Sequence, residues 1–345
     1  MSHPRTESTN TSSVADSRPT RSDPEGAPDA PTELPKASWF GVLKRTLKEF
    51  KNDNISDWAA ALTYRAVMAM APGILVLVSA LGLLGKSTTK KLLANVGQLA
   101  PGGVHSVLQT MITNVQGKAG AASAAGIIGI VLALYSASGY IGAFMRASNA
   151  IYGVGEGRPV WKTIPVRLAV TIAIVVLILL SAVIVVFTGP IADKIGSAIG
   201  LGHTAVVVWD IAKWPVLIIL VGLMLAILYY ACPNVKQPGF TWVSPGGVVG
   251  VLIWVIASAL FAFYVANFGS YNKTYGALAS VIVFLVWLYI TNVAILLGAE
   301  FNAEMQHARS IEAGRSSEDE PFAEPRDTAK LDDDAQAKAT ALSEK

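Results

Sequence analysis

The sequence predicts an all-α integral membrane protein, a bundle of six transmembrane helices with amphipathic helices on its outer face. Three observations carry that prediction. Only 15% of the 345 residues are charged against 52% hydrophobic, where soluble domains average about 25% charged. Thr274 to Ala299 holds no charge over 26 consecutive residues, more than the roughly 20 apolar residues that cross a hydrocarbon core of about 30 Å. Comparable uncharged runs recur from Ala66 to Leu84, Ala119 to Met145, Leu168 to Ala192, Trp214 to Val235 and within Pro238 to Asn272. The spans are therefore expected at about 59–84, 120–145, 167–190, 212–232, 246–268 and 275–300.

The formal net charge of +3 conceals an uneven distribution. Residues 1–35 carry 3 basic and 6 acidic side chains, and residues 310–345 carry 5 and 10. The intervening membrane region is left at +11. Residues 1–35 and 310–345 are expected to be disordered acidic tails, because neither offers enough apolar surface to offset the entropy of ordering. No apolar run follows a basic start near Met1, so the first span is expected to act as the insertion signal.

Trp39 to Lys51 alternates Trp39, Phe40, Val42, Leu43, Leu47 and Phe50 with Lys44, Arg45, Lys48 and Lys51, a basic amphipathic helix suited to an anionic membrane surface. Pro72 interrupts the first span and Pro215 opens the fourth. A proline inside a span frees a backbone carbonyl and kinks the helix. Between the first two spans Val104, Val107, Leu108, Met111, Ile112 and Val115 recur at helical spacing, which predicts an amphipathic cap on the outer face. Small residues recur at every fourth place in the second span: Ala121, Ala125, Gly129, Ala133 and Ala137. The fifth, expected to begin near the Pro245-Gly246-Gly247 turn, opens on a Gly246/Gly250 pair, and both patterns read as close-packing surfaces. Eleven Lys and Arg flank the spans on one side against seven on the other, which places both termini in the cytoplasm.

The four histidines and single cysteine form no local metal-ligand pattern, and no phosphate-cradling GxxxxGK[ST] run is present. No cofactor is expected, and the chain reads as a non-enzyme. The informative residues are ionisable or polar ones at membrane depth, which usually face a bundle interior or aqueous cavity. Arg65 lies about two turns into the first helix, while Arg146 and Glu300 close the second and sixth. Glu300 is expected to pair with Arg65 or Arg146 across the base of an inward-facing cavity, or each to snorkel to the interface. Thr63, Tyr64, Asn267 and Asn292 can line a path through the bundle.

Four ordered blocks resemble the YihY/BrkB family of bacterial inner-membrane proteins, formerly labelled ribonuclease BN. They are AAALTYRAVMAMAPG from Ala59 to Gly73; Asn149-Ala150-Ile151-Tyr152-Gly153 with Arg158; Cys232-Pro233-Asn234; and FGSYNKTYGALAS through Trp287-Leu288-Tyr289 to LLGAEFNAE. The last block adds Asn272, Tyr275, Gly276 and Asn302 to the candidate functional positions, beside Tyr64, Arg65, Pro72, Arg146, Asn149, Tyr152, Asn267 and Glu300. The resemblance implies a six-helix protein of the bacterial plasma membrane. Transport or export of a lipid-like or envelope-related molecule is the expected function, with membrane lipids as partners and no nucleic acid. The alternatives are a non-catalytic scaffold for envelope assembly working through its tails, and the tRNA-processing ribonuclease of the old label. The latter lacks the histidine and aspartate cluster that activates water on a metal. No ATP-binding motif is present, so active transport would draw on an ion gradient or a separate ATPase.

Overall fold

A computed structural model describes residues 27–83, 119–186, 203–267, 277–317 and 321–343, with side chains described within 27–70, 128–185, 207–267, 279–317 and 321–342. A short 3-10 turn, Pro31–Glu33, leads into α1 (Lys36–Asn52), α2 (Ile55–Leu83), α3 (Ala119–Ile151), α4 (Val160–Val186), α5 (His203–Ala231), α6 (Phe240–Asn267), α7 (Ala277–Glu312) and α8 (Asp333–Ser343). No strand forms among the described residues. Val235 and Pro325 make an isolated antiparallel bridge.

Five of these helices contain stretches long and apolar enough to cross a membrane: Ile128–Ile151, Val160–Val185, Val207–Ala231, Thr241–Asn267 and Val281–Glu312. The one expected span not among these five, the first, corresponds to α2, a 29-residue helix whose side chains past Met70 lie outside the described set. The amphipathic cap expected between the first two spans also lies outside it.

The helices pack in sequence order into a closed ring. Each of α2 to α6 contacts the next, α7 returns to α2, and the most extensive contacts are α2 with α3 and α6 with α7. The outward faces are apolar: Ile172, Val176, Leu179 and Val183 form an exposed stripe on α4, as Leu252, Ile256, Leu260 and Phe263 do on α6. Lipid can cover such stripes, and helices satisfy their own backbone groups there. Ile55, Leu62, Phe144, Met145, Tyr229 and Leu296 fill the interior.

Glycine sets the α6–α7 approach. A Cβ at Gly298 would stand 2.6 Å from the Gly246 carbonyl oxygen and 3.1 Å from Gly250 Cα. The Gly246/Gly250 pair is therefore a packing surface within this chain.

Helix boundaries depart from the sequence expectation where charge or proline was taken as punctuation. α4 starts at Val160 and carries Lys162 and Arg167 inside it. α5 places Pro215 well within the helix, and α6 begins at Phe240, before Pro245. The turn around Pro245 is supported from α7: Asn302 Oδ1 accepts from the Gly246 amide at 2.8 Å and its Nδ2 donates to the Val243 carbonyl at 3.0 Å.

Both tails, expected to be solvated, return to the helices where they are described. Trp242 Nε1 donates to the Asp29 carbonyl at 3.1 Å and Arg309 Nε to that of Pro28 at 2.9 Å, while Leu34 is buried with Val42, Phe301 and Met305. On the carboxyl side α7 continues to Glu312. The segment 321–331 then crosses the end of the bundle, and α8 follows. This segment is polar, but specific pairing offsets the cost of ordering it: the Lys236 amide donates to the Glu324 carbonyl, the Arg326 amide to that of Asn234 and the Lys330 amide to that of Gly157, each at 2.9 Å.

Candidate functional site at the polar end of the bundle

The α3–α4 loop, the α5–α6 turn, the end of α7 and both tails gather at one end of the bundle. There, two blocks whose bonded residues are 74 and 85 positions apart in sequence become one network. Asn149 donates through Nδ2 to Glu156 Oε2 at 3.0 Å and accepts at Oδ1 from the Asn234 amide at 2.7 Å. Arg158 forks onto Glu156, Nε to Oε1 at 2.6 Å and Nη2 to Oε2 at 2.7 Å, and Nη2 also donates to the Cys232 carbonyl at 2.7 Å. A planar guanidinium suits this bidentate geometry. Asn149, Arg158 and Asn234 are all buried, so the loop and turn are held rigidly.

Asn234 extends the network to the crossing segment. Its Nδ2 donates to the carbonyls of Gly155 at 3.1 Å and Asp327 at 2.8 Å, and its Oδ1 accepts from the Asp327 amide at 3.1 Å. Lys162 Nζ donates to Asp327 Oδ2 at 2.6 Å, and Lys236 pairs with Glu324. Tyr152 Oη accepts from Gln237 Nε2 at 3.3 Å, while its ring lies 6.0 Å from that of Phe322. Burial pushes the Tyr152 phenol well above its ordinary value.

A second polar group sits deeper. Tyr140 Oη donates to Asn292 Oδ1 at 2.8 Å and Asn292 Nδ2 donates to Thr63 Oγ1 at 3.1 Å, joining α3, α7 and α2. Thr63 and Asn292 thus serve an interhelical contact.

The carboxyl of Glu300 is buried, and its Oε2 has no hydrogen-bond partner. Its neighbours differ from those expected. Asp53 shares a side-chain hydrogen bond with it, and Glu304 and Glu49 are the other charged groups around it. Glu304 in turn pairs with Arg45 and lies 3.7 Å from His307. Arg65 and Arg167 instead each lie near Arg146. The anticipated Glu300–arginine pair is not formed, because Glu300 faces the α1–α2 turn while the arginines lie along α3.

Of the remaining candidates, Asn302 is buried at the α6 turn, and Tyr64 points outward with 60% of its surface exposed. Asn267 bonds its own helix through the Phe263 carbonyl at 2.8 Å. Asn272, Tyr275, Gly276 and the side chain of Pro72 lie outside the described residues. Sequence reasoning did not single out Glu156, Arg167 or Asp327 as site residues. Glu156 was the most accessible of these, a lone carboxylate two residues before an arginine in an otherwise apolar setting. Among the described residues no group of three or more His, Cys, Asp or Glu is placed to hold a metal ion.

Residues 46–323, which include every buried member of the Asn149–Arg158–Asn234 network, match the family described as virulence factor BrkB. The chain belongs to the BrkB family. This BrkB-family chain is 29% identical over 281 residues to the ribonuclease-like protein YfkH of Bacillus subtilis, covering 79% of this chain and 98% of that protein. It is 29% identical to a UPF0761 membrane protein of Rhodospirillum centenum, over 81% of this chain and 60% of that one. A UPF0761 membrane protein of Aromatoleum aromaticum is 26% identical, over 72% and 59% respectively. The BrkB-family chain thus spans nearly all of YfkH but about three fifths of these UPF0761 proteins. No solved structure matches it. Residues 324–331 of the crossing segment fall beyond the family match.

Proposed function

We propose that this multi-pass BrkB-family chain is a transporter or exporter of a lipid-like or envelope-related molecule, with six spans and both termini in the cytoplasm. The supporting observation is the buried Glu300 carboxyl on α7, one oxygen of which has no hydrogen-bond partner although the group sits among Asp53, Glu304 and Glu49. A buried ionisable group on a span-capable helix is costly and marks a pathway more often than a packing site. Lys44, Lys48, Lys162 and Lys236 stand at the same end as the docked tails, in keeping with a cytoplasmic assignment of that end. The scaffold alternative works through partner contacts of its acidic tails, whereas backbone bonds at Glu324, Arg326 and Lys330 tie the carboxyl segment to its own bundle. We assign the chain no catalytic role; ribonuclease-like is part of the name of YfkH.

The test is native mass spectrometry of gently purified protein, comparing wild type with Glu300→Gln and Arg65→Ala. A defined molecule retained at fixed stoichiometry by wild type and lost from Glu300→Gln is expected. Bulk phospholipid alone, equal in all three proteins, would overturn the reading.

A further inference from the structure

Three arginines from three successive helices converge near the polar end of the bundle. Arg65 lies 10 residues from the start of α2, Arg146 lies 5 from the end of α3, and Arg167 lies 7 from the start of α4. At 1.5 Å per residue these positions are roughly 8–15 Å in from the helix ends. Arg65 and Arg167 are close enough to Arg146 to repel it.

The surface of α3 is shaped to hold them. Ser138, Gly142 and Arg146 share one face at four-residue spacing. Arg167 lies over Gly142, where a Cβ would meet its Cδ and Nη1 at 3.1 Å, and its Nη2 donates to Ser138 Oγ at 2.9 Å. Arg65 Nη1 lies above Gly139, 3.8 Å from where a Cβ would stand. Arg167 Nε is buried with no partner. Among the described residues none of the three arginines is ion-paired with a carboxylate.

Two of these guanidinium groups are exposed and Arg167 is half-buried, so the cluster is open to an incoming anion. The guanidinium fork matches phosphate oxygens, and basic pockets between spans take lipid headgroups. We propose that Arg65, Arg146 and Arg167 form a binding site for a phosphate anion, supplied as the headgroup of an anionic lipid. The site names a substrate class for the proposed transporter and rests on that reading only in calling the lipid a substrate.

The experiment titrates the full-length protein in neutral detergent with three probes: short-chain phosphatidylglycerol, short-chain phosphatidylcholine and inorganic phosphate. Calorimetric binding and the thermal midpoint are followed. Phosphatidylglycerol is expected to bind and raise the midpoint, with phosphatidylcholine much weaker. Arg146→Gln and Arg167→Gln should each weaken phosphatidylglycerol binding on the order of tenfold or more, with Arg167→Lys intermediate because it keeps the charge without the fork.

Without lipid, Arg146→Gln should unfold near the wild-type midpoint, since the Arg146 side chain is exposed and packs little of the core. Equal binding of the two lipids, or unchanged phosphatidylglycerol binding in the glutamine variants, would overturn the site. Inorganic phosphate reproducing the full effect would keep the site and make free phosphate its ligand. Binding without any transport in vesicles would leave the site standing and remove the transport reading instead.

Discussion

The side-chain amide of Asn234 pairs with the backbone of Asp327 in both directions, accepting from its N–H at 3.1 Å and donating to its carbonyl at 2.8 Å. One buried side chain thus does for the crossing segment what a neighbouring strand would do. Asn234→Ala removes the donor to the Gly155 carbonyl and both Asp327 contacts, at an expected cost of about 1–3 kcal/mol. The effect should be local. Hydrogen exchange at the Arg326 and Lys330 amides is expected to accelerate while exchange within α6 and α7 does not; unchanged exchange at those two amides would refute this role for Asn234.

The Asp327 carboxyl is held below the usual carboxylate range, chiefly by the hydrogen bond from Lys162 and next by that from the Ala329 amide. A lowered carboxyl in the docked state stabilises docking fully above the ordinary value of about 3.9 and loses that contribution as pH falls through the lowered one. Protection of the Arg326 amide should therefore fall on acidification, and Asp327→Asn should flatten that dependence. An equally steep profile in the variant would assign the dependence elsewhere.

Gly298→Ala tests the α6–α7 seam. The new Cβ meets backbone of Gly246 and Gly250, together with Tyr229 Oη, and backbone cannot move aside as a flexible side chain can. A loss of about 1–3 kcal/mol is expected, read as a lower thermal midpoint in detergent. A wild-type midpoint would show that the seam is looser than described.

Cys232 is fully buried, and desolvation pushes its thiol up to about 12 despite the nearby Arg158. The thiolate is the reactive form, so the native protein should resist alkylation by iodoacetamide at neutral pH and react on unfolding. Rapid native labelling would mean that the network around Arg158 opens readily.

The membrane bundle was legible because span length and lack of charge are properties of the chain itself. Element edges were less so. Lys162 and Arg167 looked like stops, yet a long basic side chain can leave a helix surface for the interface. Pro245 looked like a start, yet Asn302, 57 positions later, supports the turn that contains it. The same holds for the site. Asn149, Arg158 and Asn234 stood in the quoted blocks, but their union depends on a fold that brings two loops together. The pairing assigned to Glu300 failed because opposite charge was matched on depth alone, and the face each helix turned was not readable. The carboxyl segment looked too polar to order, since its partners Lys162, Asn234 and Lys236 are remote in sequence.

The crossing segment also bears on how the bundle can move. It laces the α3–α4 loop to the α5–α6 turn through Gly157, Asn234 and Lys236, so four helix ends are fastened at one level. Tilting of those helices then pivots about that fastening, and displacement grows with distance along each axis at 1.5 Å per residue. Small angular play at the laced end becomes the widest excursion at the far ends of those helices, much as shears open farthest from their rivet.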